Sequence, residues 1–106
     1  MKLPPAIEIY FAADRRMDAS ALTSNFAANA KVTDEGVVHS GHDQIRDWWL
    51  AAKAKYQYIA EPIEVTRDGT RITVRCRVSG QFPNSPATID FAFTLSGDKI
   101  SNLEIG

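Results

Sequence analysis

The sequence predicts an α+β fold, with three helices from the first half of the chain packed on one side of an antiparallel sheet. Three observations predict it. Apolar residues recur at helical spacing in stretches that end near Tyr56, and alternate with polar residues beyond it. Turn pairs at Asp68-Gly69, Asn84-Ser85 and Gly97-Asp98 divide the second half into four strands. Independent hairpins then agree on which sheet face is apolar.

The chain has 106 residues, a length suited to one domain spanning 1–106 around a single core. Twelve basic and thirteen acidic residues leave a formal net charge of −1, spread along the sequence. That balance supplies no electrostatic reason to expect nucleic acid or an anionic membrane as partner. The single cysteine, Cys76, excludes an internal disulfide and a multi-cysteine metal site, and fits a cytoplasmic protein. Met1-Lys2-Leu3 runs straight into Pro4-Pro5, and the apolar run Ile9–Ala13 is too short for a signal core or a membrane span.

Pro4 and Pro5 suit a first helical turn, where a missing amide proton costs nothing. Leu3, Ile7, Tyr10, Phe11 and Asp14 follow at helical spacing, so the apolar face has one polar member at its end. Asp18 is a candidate N-cap for a second, short helix carrying Leu22 and Phe26. Ala30–Asp34 and Val37–His39 read as a hairpin across Glu35-Gly36, which puts Val32, Asp34, Val37 and His39 on one face. Ser40 with Asp43 resembles a capping box opening a third helix. That helix should turn Ile45, Trp48, Trp49, Ala52 and Tyr56 inward and Asp43, Arg46, Asp47 and Lys53 largely outward.

In the meander, a turn at Asp68-Gly69 pairs Val65 with Ile72 and Glu61 with Cys76. A fold-back at Asn84-Ser85 pairs Cys76 with Phe93 and Val78 with Phe91. The apolar face then collects Ile59, Ile63, Val65, Ile72, Val74, Cys76, Val78, Ile89, Phe91, Phe93 and Leu95, against an outer face rich in arginine and threonine. Leu103 and Ile105 fall on the wrong face. Either a bulge shifts the last strand, or a second copy of the chain covers that face.

Taken together, the two helices, F-A-x-x-A-x-V-x-D, the glycine turn, H-x-G-x-x-x-I-x-x-W and the four strands resemble the SnoaL-like group of the nuclear transport factor 2-like superfamily. The residues that carry the resemblance are Phe26, Ala27, Ala30, Val32, Asp34, Gly36, His39, Gly41, Ile45 and Trp48. It covers nearly the whole chain. It implies a strongly curved sheet wrapping the helices as an open cone, a pocket for a small, mainly apolar ligand, and a homodimer through the sheet. It also implies cofactor-independent chemistry where members are enzymes, among them ketosteroid isomerases, cyclases and dehydratases. Alignment on the same motif puts Asp34 at the isomerases' proton-shuttling carboxylate and Tyr10 at their oxyanion-holding tyrosine. Phe91 stands where those enzymes have a second, protonated aspartate donor. Trp49 replaces a supporting tyrosine. Half of the oxyanion hole is thus missing, and steroid isomerisation itself is not expected.

Each candidate has a plainer alternative. Asp34 is either a pocket base, with His39 as its partner, or a solvated turn aspartate beside a structural histidine. Tyr10 is either an oxyanion donor or a core tyrosine. Trp48, Trp49, Phe11, Phe26, Phe91 and Phe93 are expected to line the pocket, although neighbouring tryptophans about 100° apart on a helix cannot face the same way. Glu61 is the one acid that parity sends to the pocket face, unless Pro62 forces a bulge that turns it out. His42 is expected to be an exposed first-turn residue without a role. No metal site is expected, because two histidines three apart with scattered acids make no ligand set. Two functions follow: a cofactor-independent isomerase, dehydratase or cyclase, or a non-catalytic ligand-binding or interaction module.

Overall fold

A computed structural model describes residues 2–106. In chain order the elements are α1 (Pro5–Arg16), α2 (Ala19–Ser24), β1 (Phe26–Asp34), β2 (Val37–Ser40), α3 (Gly41–Tyr56), β3 (Ile59–Asp68), β4 (Arg71–Ser79), β5 (Ala87–Ser96) and β6 (Lys99–Ile105). The strands form one sheet in the order β2-β1-β6-β5-β4-β3. All neighbours are antiparallel except β1 and β6, which run parallel. The sheet is therefore mixed, curved and unclosed, with the three helices on its inner face.

Local chemistry explains where the helices begin and stop. Pro5 opens α1 with a pre-set φ, and Met17, in the left-handed region, closes it. Asp18 caps α2 by accepting from the Ala21 amide at 3.1 Å. Asn25, buried at the end of α2, donates its side-chain amide to the Ala6 carbonyl and so ties α2 to α1. The α3 start differs from the expected capping box. The Ser40 hydroxyl makes no cap bond, and the Ser40 amide instead donates to Gln44 Oε1 at 2.8 Å. His42 is not idle either. Although exposed, its ring nitrogen donates to the Phe26 carbonyl at 2.8 Å and anchors α3 to β1.

Strand parity holds over most of the sheet, while register does not. Val65 lies opposite Val74, and Cys76 opposite Ile89, displaced from the expected pairs by even numbers of residues. Even displacements keep every side chain on its face. Two bulges change faces. One between Pro62 and Glu64 puts Ala60 and Pro62 inward and turns Ile59 and Glu61 outward, the latter opposite Arg77. The other, in β6 beside Thr94 and Leu95, brings Leu103 opposite Phe93 and Ile105 opposite Phe91. Leu103 is wholly buried as a result. The bulge accounts for both residues that alternation had misplaced.

The core is aromatic at its centre. Tyr10 sits 5.2 Å from Phe11, 6.0 Å from Phe26 and 5.3 Å from Phe93 between ring centroids, all near edge-to-face. Such pairs each contribute about 0.5–1.5 kcal/mol beyond the area they bury. On the outer face Arg75 pairs with Asp90 at 3.1 Å and Arg71 with Glu104 at 3.2 Å, both largely exposed and therefore weak. Among the described residues no helix is long and apolar enough to cross a membrane.

Candidate functional site

A cavity of about 300 Å³ opens between the β1–β2 turn, α3 and the β4–β5 loop. The turn contributes Asp34 and Glu35, and α3 contributes Trp48, Ala52 and Tyr56, followed by Tyr58. Val78, Ile89, Phe91 and Ile105 make the sheet wall, and Phe82 and Pro83 of the loop stand at the mouth. Ile105 reaches this wall only because of the β6 bulge.

The turn is built to carry its carboxylates. Glu35 and Gly36 have φ of 52° and 77°, so both central positions are left-handed, as a tight hairpin requires. Glycine accepts this freely, whereas Glu35 is held there at a cost of about 1–2 kcal/mol. Its carboxylate accepts the Tyr56 hydroxyl at 2.8 Å, which pins the turn to the end of α3. Asp34 Oδ2 accepts the Trp48 indole N–H at 3.0 Å. No lysine or arginine reaches Asp34 at ion-pair distance among the described residues.

The loop is seated by a close approach. A Cβ on Gly80 would lie 2.7 Å from the Tyr56 carbonyl oxygen. With glycine there, the Gln81 amide donates to that same carbonyl at 2.6 Å. Phe82 follows directly and meets the Tyr56 ring at 6.1 Å and 88°. Tyr56 and Phe82 are thus two walls at a right angle.

The expected site residues divide into four groups. Asp34, Trp48 and Phe91 line the cavity. His39 is half-buried beside it, its ring 6.0 Å from that of Trp48, and does not form the wall. Trp49, Phe11, Phe26, Phe93 and Tyr10 are core residues, with Tyr10 one ring removed from the cavity behind Phe91. Glu61 lies outside on the far face, turned there by the Pro62 bulge. Among the described residues the Tyr10 hydroxyl has no hydrogen-bond partner, and burial, with the charges of Asp14 and Asp34 among others, pushes its pKa well above the usual tyrosine range.

A second polar constellation lay unread in the sequence. Asp14 Oδ1 accepts both the Trp49 indole N–H at 2.8 Å and the Tyr58 hydroxyl at 2.9 Å. Its Oδ2 pairs with Lys53 Nζ at 3.2 Å. Lys53 also donates to the Tyr58 carbonyl at 3.0 Å and lies over the Tyr58 ring at 3.7 Å. Lys53 is therefore buried, contrary to the outward placement expected from its charge. It stands one helical turn after Trp49, and that spacing was the available signal. Burial and the neighbouring Asp14 carboxylate hold the Tyr58 phenol far above its ordinary pKa. Tyr58 connects the two regions, since its side chain also lines the cavity. Among the described residues no three histidine, cysteine or acidic side chains gather as a metal-binding group.

Comparison with known proteins places this geometry in a family. The sequence pattern of the SnoaL-like domain matches residues 7–101. No curated protein matches the chain. Among solved structures, a proposed polyketide cyclase from Sinorhizobium meliloti is 46% identical over 98% of this chain and 95% of its own, with a TM-score of 0.96. A protein of ketosteroid isomerase-like fold from Catenulispora acidiphila, in complex with trimethylamine, is 20% identical over 99% and 86%, with a TM-score of 0.85. A nuclear transport factor 2-like protein from Burkholderia xenovorans is 21% identical over 95% and 85%, with a TM-score of 0.78.

Proposed function

The chain belongs to the SnoaL-like domain family, with the nuclear transport factor 2-like fold, and from that premise we propose that its cavity binds a small, mainly apolar molecule whose reactive group meets Asp34. The observation that carries the proposal is the Asp34 carboxylate, on the wall of an otherwise largely apolar cavity and held by the Trp48 indole at 3.0 Å. A few placed polar groups in an apolar pocket are what small-ligand sites require. The name of the 46%-identical relative, a proposed polyketide cyclase, supports the same reaction class.

The chemistry open to this site is cofactor-independent. Asp34 takes a proton from a carbon beside a ligand carbonyl, and the electron pair left on that carbon moves onto the carbonyl oxygen as an enolate. Return of the proton to a different carbon is isomerisation. Expulsion of a β-hydroxyl, which leaves as water with the proton that Asp34 returns, is dehydration, and attack of the enolate carbon on a second carbonyl, whose oxygen takes that proton, is cyclisation. His39 acts through Trp48 in this scheme, as a positioning residue.

Binding without turnover is the second reading, and one observation favours it. The two tyrosine hydroxyls of the cavity are already committed, Tyr56 to Glu35 and Tyr58 to Asp14, while Tyr10 lies behind Phe91. Thermal shift over a panel of cyclic ketones, enones and phenolics, joined to NMR exchange of their α-protons in D2O, separates the readings. Exchange by the native chain that drops at least tenfold in Asp34→Asn supports the base. Binding with no exchange in either protein supports the second reading. No shift with any compound removes carbonyl compounds and phenolics as ligands of the cavity, and the acid–base reading with them.

A homodimer through the sheet is also proposed. Ile59 and Ile63 support it, 62% and 50% exposed on the edge strand β3. Sedimentation at micromolar concentration should show a dimer that Ile59→Lys with Ile63→Lys dissociates. A monomeric native chain overturns it.

A further inference from the structure

We infer that the ligand carries a positive charge, a protonated or quaternary amine on a small apolar frame, with its nitrogen at the Asp34–Glu35 end of the cavity. The inference rests on the reading of the cavity as a ligand site and holds whether or not Asp34 also takes a proton. Charge asymmetry is the first argument. Two of the lining residues are carboxylates, and none is lysine, arginine or histidine. Both carboxylates are neighbours on one turn, so the negative field is concentrated at one end. Two lysines stand behind the wall: Lys53 lies over the Tyr58 ring and is paired with Asp14, and Lys55 lies outside the cavity. The field of Lys55 falls on Glu35, and its ammonium lies 5.0 Å from the Tyr56 ring centroid. Among the described residues Asp34 keeps only the neutral Trp48 N–H as a side-chain partner. A carboxylic ligand would meet uncompensated repulsion here, and a neutral one would leave Asp34 without a counter-charge.

The walls make the second argument. Five lining residues are aromatic. Tyr56 and Phe82, perpendicular at 6.1 Å, form a corner at the Glu35 end, and Trp48 stands beside Asp34. An aromatic ring attracts a cation through its negative face, and the attraction grows as water is excluded. Rings at right angles beside a carboxylate suit a compact, poorly hydrated ammonium better than a flat neutral molecule. The volume, about 300 Å³, lies at the lower end of ligand sites and matches a compound of one ring and a small amine.

Three soluble probes of similar size test the inference by NMR titration: phenyltrimethylammonium, 2-phenylpropan-2-ol and phenylacetate. The expected order is the cation at least tenfold tighter than the alcohol, with no measurable phenylacetate binding. Added salt should weaken the cation alone. In Asp34→Asn with Glu35→Gln the preference should fall below threefold, in a variant whose amide NMR spectrum shows that it is folded. Phe82→Leu should lower cation affinity by a larger factor than alcohol affinity. Alcohol binding equal to or tighter than the cation overturns the charge inference and leaves the cavity a ligand site. Binding of none of the three overturns both.

Discussion

Lys53 Nζ lies 3.2 Å from Asp14 Oδ2 between α3 and α1, and the two side chains are only 6% and 3% exposed. Removing two charges from water is costly, and an ion pair compensates only with good geometry and further hydrogen bonds. Asp14 has those bonds from Trp49 and Tyr58, and Lys53 has the Tyr58 carbonyl. Removing one partner leaves a buried charge alone. Lys53→Met should therefore cost about 3–5 kcal/mol, read as a lower urea midpoint at unchanged slope. Pairing it with Asp14→Leu should cost less than the sum of the single changes. Strict additivity would mean that the two charges do not interact.

Cys76 predicts an alkaline limit. Its thiol is buried in β4, and burial first, then the charges of Asp14 and Asp90, pushes its pKa up to about 12. A free thiol ionises near pH 8.5. Between those values the unfolded chain loses the proton and the folded chain keeps it, so the unfolded state gains. The thiol's contribution is complete below about pH 8.5 and declines as pH rises toward 12. The raised tyrosines Tyr10 and Tyr58 act in the same direction. Thermal midpoints should fall steadily above pH 9, and Cys76→Ala should make the fall shallower. In the folded chain the thiol should resist iodoacetamide at pH 8 and react once urea unfolds it.

What could be read beforehand follows from the nature of each signal. Alternation has period two, so Val74, Phe91 and Phe93 were assignable to the inner face although their partners across the sheet were misjudged. The seven-residue connection Gly80–Pro86 sets that register, and nothing in its alternation reports where it folds back. A bulge adds one residue and inverts the face, which is why Ile59 and Glu61 were expected inside. The parallel β1–β6 pair was unreadable for another reason, since no local pattern says which meander strand meets the first hairpin. Asp34 was legible because motif and strand parity agreed, whereas helical spacing said only that one of Trp48 and Trp49 faces the cavity. The Asp14–Lys53 pair joins residues from different helices, and lysine type argued for solvent against the helical spacing that argued for burial.

Gly80 should behave as a cavity residue without touching a ligand. Gly80→Ala places a methyl 2.7 Å from the Tyr56 carbonyl oxygen, backbone that cannot step aside. The loop must lift, which breaks the Gln81 amide bond to that carbonyl and takes Phe82 off Tyr56. Stability should fall by about 1–3 kcal/mol, and Gln81 should lose amide-exchange protection. Ligand affinity should fall with it. Unchanged affinity would show that Phe82 is not part of the binding site.

Tyr10→Phe separates the two lives of that residue. Its hydroxyl is buried and without a partner among the described residues, while its ring packs against Phe11, Phe26, Phe91 and Phe93. An unmade hydrogen bond at such a site costs about 1–3 kcal/mol, so deleting the oxygen should leave stability equal or higher. A residue kept only for packing would then improve on substitution, with proton exchange and ligand affinity untouched. An oxyanion donor behaves differently, because its unpaired state in the free protein is the preorganisation that a developing negative oxygen uses. For Tyr10 to act so, the lining residues next to it must shift when the ligand enters, since Tyr10 itself does not line the cavity and its ring lies 6.4 Å from that of Phe91, which does. The expected signature of that role is a variant at least as stable as the native chain, with unchanged ligand affinity and at least tenfold slower α-proton exchange. If exchange is unaltered, Tyr10 belongs to the core alone, and Asp34 carries whatever chemistry the site performs.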